Sequence, residues 1–254
     1  MKKVAVFVEG QTELIFIRKL LQIVFEYTDI NIKSSNLVGG IRAKKIVEDY
    51  LVPNAQIEFT IFSVDNDNRV LGEMKLRERN LFERGYTLVV GIRDMYGEDY
   101  KDAIREMGLP PQTVSRIIND KFRNQSLETI KKMSDPTNIY LIFSVMEIEA
   151  WILGIKDFLF KVDSRLTHNH IKALVGHSLH EVEIEDVIYH PAKVLRRILE
   201  SVSFDYDKSR AALHSILSKL DASDIEYMTQ LGKVSSFNEF HQLIVSLKPT
   251  ANSQ

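Results

Sequence analysis

Cysteine is absent from this 254-residue sequence, which excludes disulfide bonds, thiolate zinc sites and a cysteine nucleophile. The chain also lacks an apolar run near the ~20 residues that cross a bilayer, and its first residues lack the order of segments found in a secretory signal. Neither sign of charge dominates, since 33 Lys and Arg residues stand against 35 Asp and Glu residues. We therefore expect a cytoplasmic protein without a membrane partner, which would need a local basic patch to bind nucleic acid.

Several catalytic motifs are missing as well. The sequence contains no G-x-S-x-G elbow around a nucleophilic serine, no Walker phosphate loop and no G-x-G-x-x-G turn after a predicted strand. Because the chain has no nucleotide-binding motif of its own, any control by ATP would need a partner protein.

The first half of the sequence alternates apolar runs with amphipathic stretches, a pattern typical of an α/β sheet covered by helices. The predicted strands are Val4–Val8, a segment near Ile32–Val38, Ile57–Val64, Thr87–Ile92 and Ile139–Val145. The predicted helices, whose apolar residues recur at three- and four-residue spacing, are Glu13–Phe25, Ala43–Leu51, Arg69–Arg84 and Thr113–Phe122. We expect a mostly parallel sheet flanked by helices.

The strand pattern fades after Trp151. Pro191 stands where the first turn of a helix would begin, and the stretches PAKVLRRILESV and SRAALHSILSKL both have the pattern of amphipathic helices. The predicted organisation is an α/β domain over residues 1–154, with a helical region over residues 155–254 packed on it.

Three of the predicted strands lead into acidic residues. Glu9 follows VAVFV, Asp94 follows TLVVGIR, and Glu147 and Glu149 follow YLIFSV. The carboxyl ends of strands line the ligand crevice in open α/β sheets, so these carboxylates are well placed for chemistry. Several carboxylates within mutual reach are costly unless a divalent cation neutralises them, and Mg²⁺ or Mn²⁺ is the cation that oxygen ligands favour.

The acidic and histidine-rich stretches of the chain also have alternative roles, which stay open. Gln11, Thr12 and Glu13 form a plausible helix start, so capping is the alternative role for the acidic stretch after the first strand. The segment Asp65-Asn66-Asp67 is either a second metal motif or a turn built from alternating Asp and Asn. Five histidines at positions 168, 170, 177, 180 and 190 lack the H-E-x-x-H order, and we expect a loop there rather than a metal site.

Three ordered motifs carry a family resemblance. Glu9-Gly10 with Thr12-Glu13, D-x-Y-G from Asp94, and E-x-E-A from Glu147 resemble a group of bacterial Toprim-related proteins of uncharacterised function, distantly similar to the overcoming-lysogenisation-defect nucleases. The C-terminal stretches HPAKVLRRIL, YDKSRAALHSILSKLDASDIEYMTQ and SFNEFHQLI are similar to that group too, so the resemblance covers most of the chain. It departs at Tyr96, where the widespread pattern has a second aspartate, and at Met146, where the related group often has a histidine.

The resemblance implies a Toprim-like layout and a metal-dependent nuclease. Glu9 would be a general base or metal ligand, Asp94 the principal metal-binding aspartate, and Glu147 and Glu149 would complete the metal shell. Magnesium or manganese would support hydrolysis of phosphodiester bonds in DNA or RNA. Related proteins tend to be encoded beside ABC-type or AAA-type ATPases, which implies a role in defence against phage or mobile DNA and an ATPase partner.

A basic residue is needed to bind the phosphate, and Arg93, Lys193 and Lys208 are the candidates. Lys193 is the best placed of them, because a helix N-terminus at the same point would also favour an anion. A non-catalytic subunit on the same scaffold is the alternative function, supported by Tyr96 and by the net charge of −2. A topoisomerase or primase is a weaker alternative, and the sequence leaves a homo-oligomer open.

Overall fold

The computed structural model describes residues 1–37, 48–64, 69–155 and 157–249. Within these ranges, strands and helices are mixed up to residue 144, and only helices follow the last strand. The predicted α/β class, with a parallel sheet flanked by helices, is confirmed.

One five-stranded sheet contains all the strands of the described residues. They are β1 (Lys2–Val8), β2 (Ile30–Asn36), β3 (Ile57–Ser63), β4 (Tyr86–Asp94) and β5 (Ile139–Ser144). The order across the sheet is β2-β3-β1-β4-β5, and β1 pairs in parallel with both β3 and β4. Residues 4–8 of β1 are fully buried, which explains why the sequence of this central strand is apolar without alternation.

Twelve α-helices are present in the described residues. They are α1 (Gln11–Val24), α2 (Val70–Glu83), α3 (Glu98–Glu106), α4 (Arg116–Ile130), α5 (Glu149–Leu153), α6 (Phe158–Val162), α7 (His168–Val175), α8 (Ile184–Val187), α9 (Pro191–Glu200), α10 (Arg210–Leu217), α11 (Ala222–Leu231) and α12 (Ser235–Val245). A 3-10 turn spans Pro136–Asn138. None of the described helices combines the length and the apolar character needed to cross a membrane.

The predicted helix Ala43–Leu51 is wrong over the residues that the structure describes. Of Ala43–Leu51, residues 43–47 lie outside the described residues, and residues 48–51 are not helical. Tyr50 instead forms an antiparallel bridge with Ile32, through backbone hydrogen bonds of 2.7 and 2.8 Å. Because β2 is an edge strand, its free backbone groups pair with this segment, and that pairing overrides the local helical spacing.

The chain divides into two compact units, each built from separated segments. The first unit comprises Met1–Arg93, Phe122–Phe143 and Gln242–Gln254, and the second comprises Asp94–Lys121 and Ser144–His241. The predicted domain boundary near Gly154 stays a prediction.

Each unit has its own core. In the first unit, Phe7 and Val89 of the sheet belong to one buried apolar cluster with Met74 of α2. In the second unit, the Trp151 ring packs against Phe237 and Phe240 with ring centroids 5.5 and 5.8 Å apart. Trp151 is fully buried.

Candidate active site

Glu9 follows the last residue of β1, and the next residue, Gly10, precedes α1. The Gly10 N–H donates a hydrogen bond of 2.8 Å to Oε2 of Glu13, so Glu13 caps the helix from its first turn. The capping role considered for this stretch therefore belongs to Glu13. The Glu9 side chain is buried, with an exposed fraction of 5%.

Asp94 is the last residue of β4, and the chain around it is fixed to the end of β5. The Ser144 hydroxyl donates a hydrogen bond to Oδ1 of Asp94. Beyond the strands, the Met95 N–H donates to the Ser144 carbonyl at 3.0 Å, and the Tyr96 N–H donates to the Met146 carbonyl at 2.9 Å. The carboxylate of Asp94 therefore has a defined position next to the segment that carries Glu147 and Glu149.

Glu147 and Glu149 converge on Lys208. The Lys208 Nζ lies 2.7 Å from Oε1 of Glu149 and 4.0 Å from Oε1 of Glu147. The Tyr206 hydroxyl donates a second hydrogen bond, of 3.2 Å, to Oε1 of Glu149. Glu149 is fully buried, yet its other oxygen, Oε2, accepts no hydrogen bond. A buried acceptor without a partner is costly, so a ligand, an ion or a water molecule would stabilise this oxygen.

The N-terminus of α9 binds the carboxylate of Glu147. The Ala192 N–H, in the first turn of this ten-residue helix, donates a hydrogen bond of 3.0 Å to Oε2 of Glu147. The positive end of the helix dipole thus faces a carboxylate, an arrangement that stabilises negative charge. Lys193 is exposed in the same turn.

Electrostatic interactions couple these groups. Burial raises the pKa of Glu147, and the neighbouring charge of Glu149 raises it further, against the lowering effect of the Ala192 N–H. Burial alone would lower the pKa of Lys208, but the carboxylates of Glu149, Glu147 and Asp94 outweigh it, so the net shift is upward. The Lys208 side chain is therefore protonated at neutral pH, and its positive charge interacts with three carboxylates.

Backbone strain occurs at two points of this site. Met146, between β5 and Glu147, has a φ of +69°, and Lys208 has a φ of +59°. Residues with a Cβ rarely occupy this left-handed region, and each instance costs on the order of 1 kcal/mol. Strained residues of this kind cluster at active sites and ligand sites.

The structure brings together four of the predicted site residues within the second unit: Asp94, Glu147, Glu149 and Lys208. Glu9 and Arg93 belong to the first unit, and their participation in a shared site stays a prediction. The alternative motif at Asp65 and Asp67 lies outside the described residues.

Ser144 and Tyr206 were missed by sequence reasoning. Ser144 is the one polar residue in the run LIFSV, which is a weak signal that a strand end has a polar contact. Tyr206 stands two positions before Lys208, but nothing local shows that it approaches Glu149, 57 residues earlier.

The acids of this site fit a divalent cation in ligand type but are not arranged as a ready cage. Their oxygens are the ligands that Mg²⁺ and Mn²⁺ prefer, and Oε2 of Glu149 is a buried oxygen without a hydrogen-bond partner. Among the described residues, however, the group of three ligating side chains whose atoms all lie within 4.8 Å of one another is Asp157, His168 and His180. A cation bound by Asp94, Glu147 and Glu149 would require their side chains to move.

The loop predicted for the histidine-rich stretch is present only in part, since His177, His180 and His190 lie outside the helices. His168 and His170 lie in α7, whose N-terminus is capped by the Thr167 side chain through a hydrogen bond of 3.3 Å from the His170 N–H. Ile171 is the buried residue of this helix and anchors it. A cap and one buried contact are enough to fix a short helix that the composition alone does not indicate.

Comparison of the chain with protein-family models, with curated proteins and with solved structures finds no match. The resemblance to Toprim-related proteins thus rests on the quoted motifs.

Proposed function

We propose that this chain is a metal-dependent nuclease that hydrolyses phosphodiester bonds, with its active site around Asp94, Glu147 and Glu149. The observation that supports this most directly is the fully buried Glu149, which has one oxygen without a hydrogen bond beside two further acids and a lysine. Asp94, Glu147 and Glu149 would hold Mg²⁺ or Mn²⁺. When bound, such a cation activates water and stabilises charge on the phosphate oxygens.

The chain's own residues supply the remaining functions. The Ser144 hydroxyl orients Asp94. Glu147, which accepts a hydrogen bond from the Ala192 N–H, would bind the cation as a carboxylate. The bound cation would favour its deprotonated form against the effect of burial. Exposed Lys193 would bind a phosphate, and Lys208 could do so only after its ion pair with Glu149 opens. Glu9 is proposed as a further base or ligand.

The biological setting is proposed from the motif resemblance alone. A Toprim-related nuclease in the cytoplasm would act in bacterial defence against phage or mobile DNA, with an ABC-type or AAA-type ATPase as its partner.

A second candidate is a non-catalytic binding or effector subunit. The observation that favours it is Lys208, whose ammonium already neutralises Glu149 and lies near Glu147, so the acids do not require a metal for charge balance. Tyr96, which replaces the second acid of the Toprim pattern, packs against the rings of Tyr189 and His190 with centroids 5.6 and 4.8 Å apart. That packing gives Tyr96 a structural role at a position where the widespread Toprim pattern has a carboxylate.

Cleavage by the purified protein separates the two candidates. Plasmid DNA, single-stranded DNA and transfer RNA are incubated with Mg²⁺, with Mn²⁺ or with a chelator. For a nuclease we expect metal-dependent cleavage that falls about 100-fold or more in Asp94→Asn and in Glu149→Gln. Asp102→Asn, at an exposed acid of α3 in the same unit, is the matched control and should keep full activity.

Glu9→Gln tests whether Glu9 belongs to the same site, and we expect a comparable loss. Cleavage that survives both Asp94→Asn and Glu149→Gln would contradict the proposed site. If no cleavage is seen, calorimetric titration measures whether the chain binds Mg²⁺. Binding of Mg²⁺ without cleavage of any substrate, with or without the partner ATPase, favours the non-catalytic subunit.

A further inference from the structure

A cavity of ≈ 520 Å³ lies within the second unit and is lined by none of the acids of the candidate active site. Its walls are mainly apolar, with Leu153, Phe160, Leu166 and Ile171 among them. The polar part of the lining comes from six residues, and three of these form a group: Asp157, His168 and His180. A mostly apolar cavity with a few convergent polar groups is the usual form of a small-molecule site.

The three polar side chains lie close enough to share one ligand. The Nε2 atom of His168 lies 2.8 Å from Oδ1 of Asp157. The rings of His168 and His180 meet edge to face, with centroids 3.9 Å apart at 83°. One ligating atom from each of the three residues lies within 4.8 Å of the other two.

Three separate segments build this cluster. Asp157 directly precedes α6 in a left-handed backbone conformation with a φ of +56°, which is uncommon for a residue other than glycine and most tolerable for Asp or Asn. His168 is the first residue of α7. His180 follows α7, and its carbonyl oxygen accepts a hydrogen bond from Nζ of Lys233. The start of α7 fixes the position of His168, and the contact with Lys233 fixes the segment of His180.

We infer that Asp157, His168 and His180 bind a divalent transition metal, such as Zn²⁺. Imidazole nitrogens with one carboxylate oxygen select transition metals over Mg²⁺. Three protein ligands leave at least one coordination position open, which is the arrangement of catalytic rather than structural zinc sites. Because the same residues line the cavity, the open position would receive water or a small, largely apolar molecule bearing a carboxylate or carbonyl group.

Lys161 is the cation that lines the same cavity, and its charge is compensated within the second unit. Its Nζ lies 2.9 Å from Asp221 and 2.7 Å from Asp224. Repulsion between this ammonium and a bound dication is therefore reduced, and Lys161 does not compete for the carboxylate of Asp157.

Titration of the full chain with Co²⁺ tests the site, because the visible absorption of Co²⁺ reports both its coordination and its stoichiometry. In excess Mg²⁺, which would occupy the acids of the proposed nuclease site, we expect one equivalent of Co²⁺ to bind with the spectrum of a four- or five-coordinate ion and to be displaced by Zn²⁺. His168→Ala, His180→Ala and Asp157→Asn should each weaken binding by about tenfold or more. His177→Ala is the matched control, since this histidine is exposed and lies outside the cluster, and it should bind as the unaltered chain does.

Asp157→Asn keeps the shape of the side chain and tolerates the left-handed backbone, so its thermal midpoint shows whether a loss of binding reflects a loss of folding. A stoichiometry well below one equivalent would overturn the inference, as would equal weakening in the control and in the ligand variants. In excess Mg²⁺, which would occupy the acids of the proposed nuclease site, Glu149→Gln should leave Co²⁺ binding at the Asp157, His168 and His180 cluster unchanged, so this test and the nuclease assay can fail independently.

Discussion

At the scale of single residues, Lys208 determines the charge balance of the candidate active site. Lys208→Met keeps most of the apolar stem but leaves the fully buried Glu149 without its counter-charge. We expect the free energy of unfolding to fall by roughly 2–4 kcal/mol, somewhat less than for a fully buried pair, because 36% of the Lys208 side chain is exposed. Urea denaturation at neutral pH measures the change.

The double variant Lys208→Met/Glu149→Gln supplies the control for this prediction. Removing both charges should restore most of the lost stability, since the cost comes from one unpaired buried charge. Lys75→Met, at an exposed lysine of α2, should change stability by less than about 0.5 kcal/mol. If Mg²⁺ can take the place of the ammonium, it should stabilise Lys208→Met more than the unaltered chain, and an absence of that difference counts against a metal at Glu149.

Glu147 gives a prediction about pH. Its pKa is raised, chiefly by burial, so the folded chain binds this proton more readily than the unfolded chain does. Stability therefore decreases as the pH rises from the ordinary glutamate pKa of 4.5 through the higher pKa of the folded state. Glu147→Gln still accepts the Ala192 N–H and removes this penalty, so we expect a higher thermal midpoint than the unaltered chain at pH 8 and little difference at pH 4.

The same Glu147→Gln variant should lose the proposed nuclease activity, because a neutral amide is a weaker ligand for Mg²⁺ than a carboxylate. A gain of stability with a loss of cleavage would indicate a residue kept for function. Glu226→Gln, at an exposed acid of α11, is the control for removing one negative charge. A thermal midpoint for Glu147→Gln that lies below that of the unaltered chain at every pH would show that Glu147 is primarily a structural anion at the start of α9.

At the scale of elements, Gly91 of β4 permits the close packing of the sheet in the first unit. A Cβ at this position would lie 2.3 Å from Sδ of Met74 and 2.7 Å from Cδ1 of Leu141. Gly91→Ala should therefore lower the free energy of unfolding by about 1–3 kcal/mol, since the surrounding side chains would have to leave their packed positions.

Gly72 of α2 is the matched control for Gly91. A Cβ there would meet no atom within 4 Å, and alanine favours a helix over glycine. Gly72→Ala should raise the free energy of unfolding by about 0.5 kcal/mol, opposite in sign to Gly91→Ala. Denaturation of the two variants in parallel measures both, and a loss at Gly72 similar to that at Gly91 would refute the packing explanation.

The elements differ in how far the sequence could predict them. β1 was predictable because a strand buried on both faces needs an unbroken apolar run, and α9 because Pro191 marks a first helical turn. The segment around Tyr50 was not, because its conformation depends on an edge strand elsewhere in the chain. The spacing of apolar residues therefore predicts elements whose own sequence pattern stabilises them. It fails where a tertiary contact determines the conformation of a segment.

The candidate site, too, could be predicted from the sequence only in part. The acids at strand ends were predictable, because a carboxylate after an apolar strand is visible in the sequence. The approach of Lys208 and Tyr206 to Glu149 was not, because it joins positions 57 or more residues apart. The grouping of Asp157 with His168 and His180 also escaped prediction, since their spacing matches no helical or zinc-binding pattern.

At the scale of the whole molecule, the net charge of −2 limits how the chain can bind nucleic acid. Because the electrostatic field of the whole chain is weak, binding of nucleic acid would depend on local contacts. Exposed Lys193 and Arg197 lie four residues apart on one face of α9 and could make such contacts. Two phosphate contacts of this kind would release few counterions. We expect the logarithm of the affinity for duplex DNA to fall with the logarithm of salt concentration with a slope of about −2.

Lys193→Gln tests this expectation, and fluorescence anisotropy over a salt series measures it. Losing one phosphate contact should reduce the slope by about 0.9 and weaken binding to all sequences alike. Lys75→Gln, at an exposed lysine of the first unit, should leave both the slope and the affinity unchanged. A slope of about −6 or steeper would require phosphate contacts far beyond α9, and an unchanged slope in Lys193→Gln would remove α9 from the nucleic-acid surface.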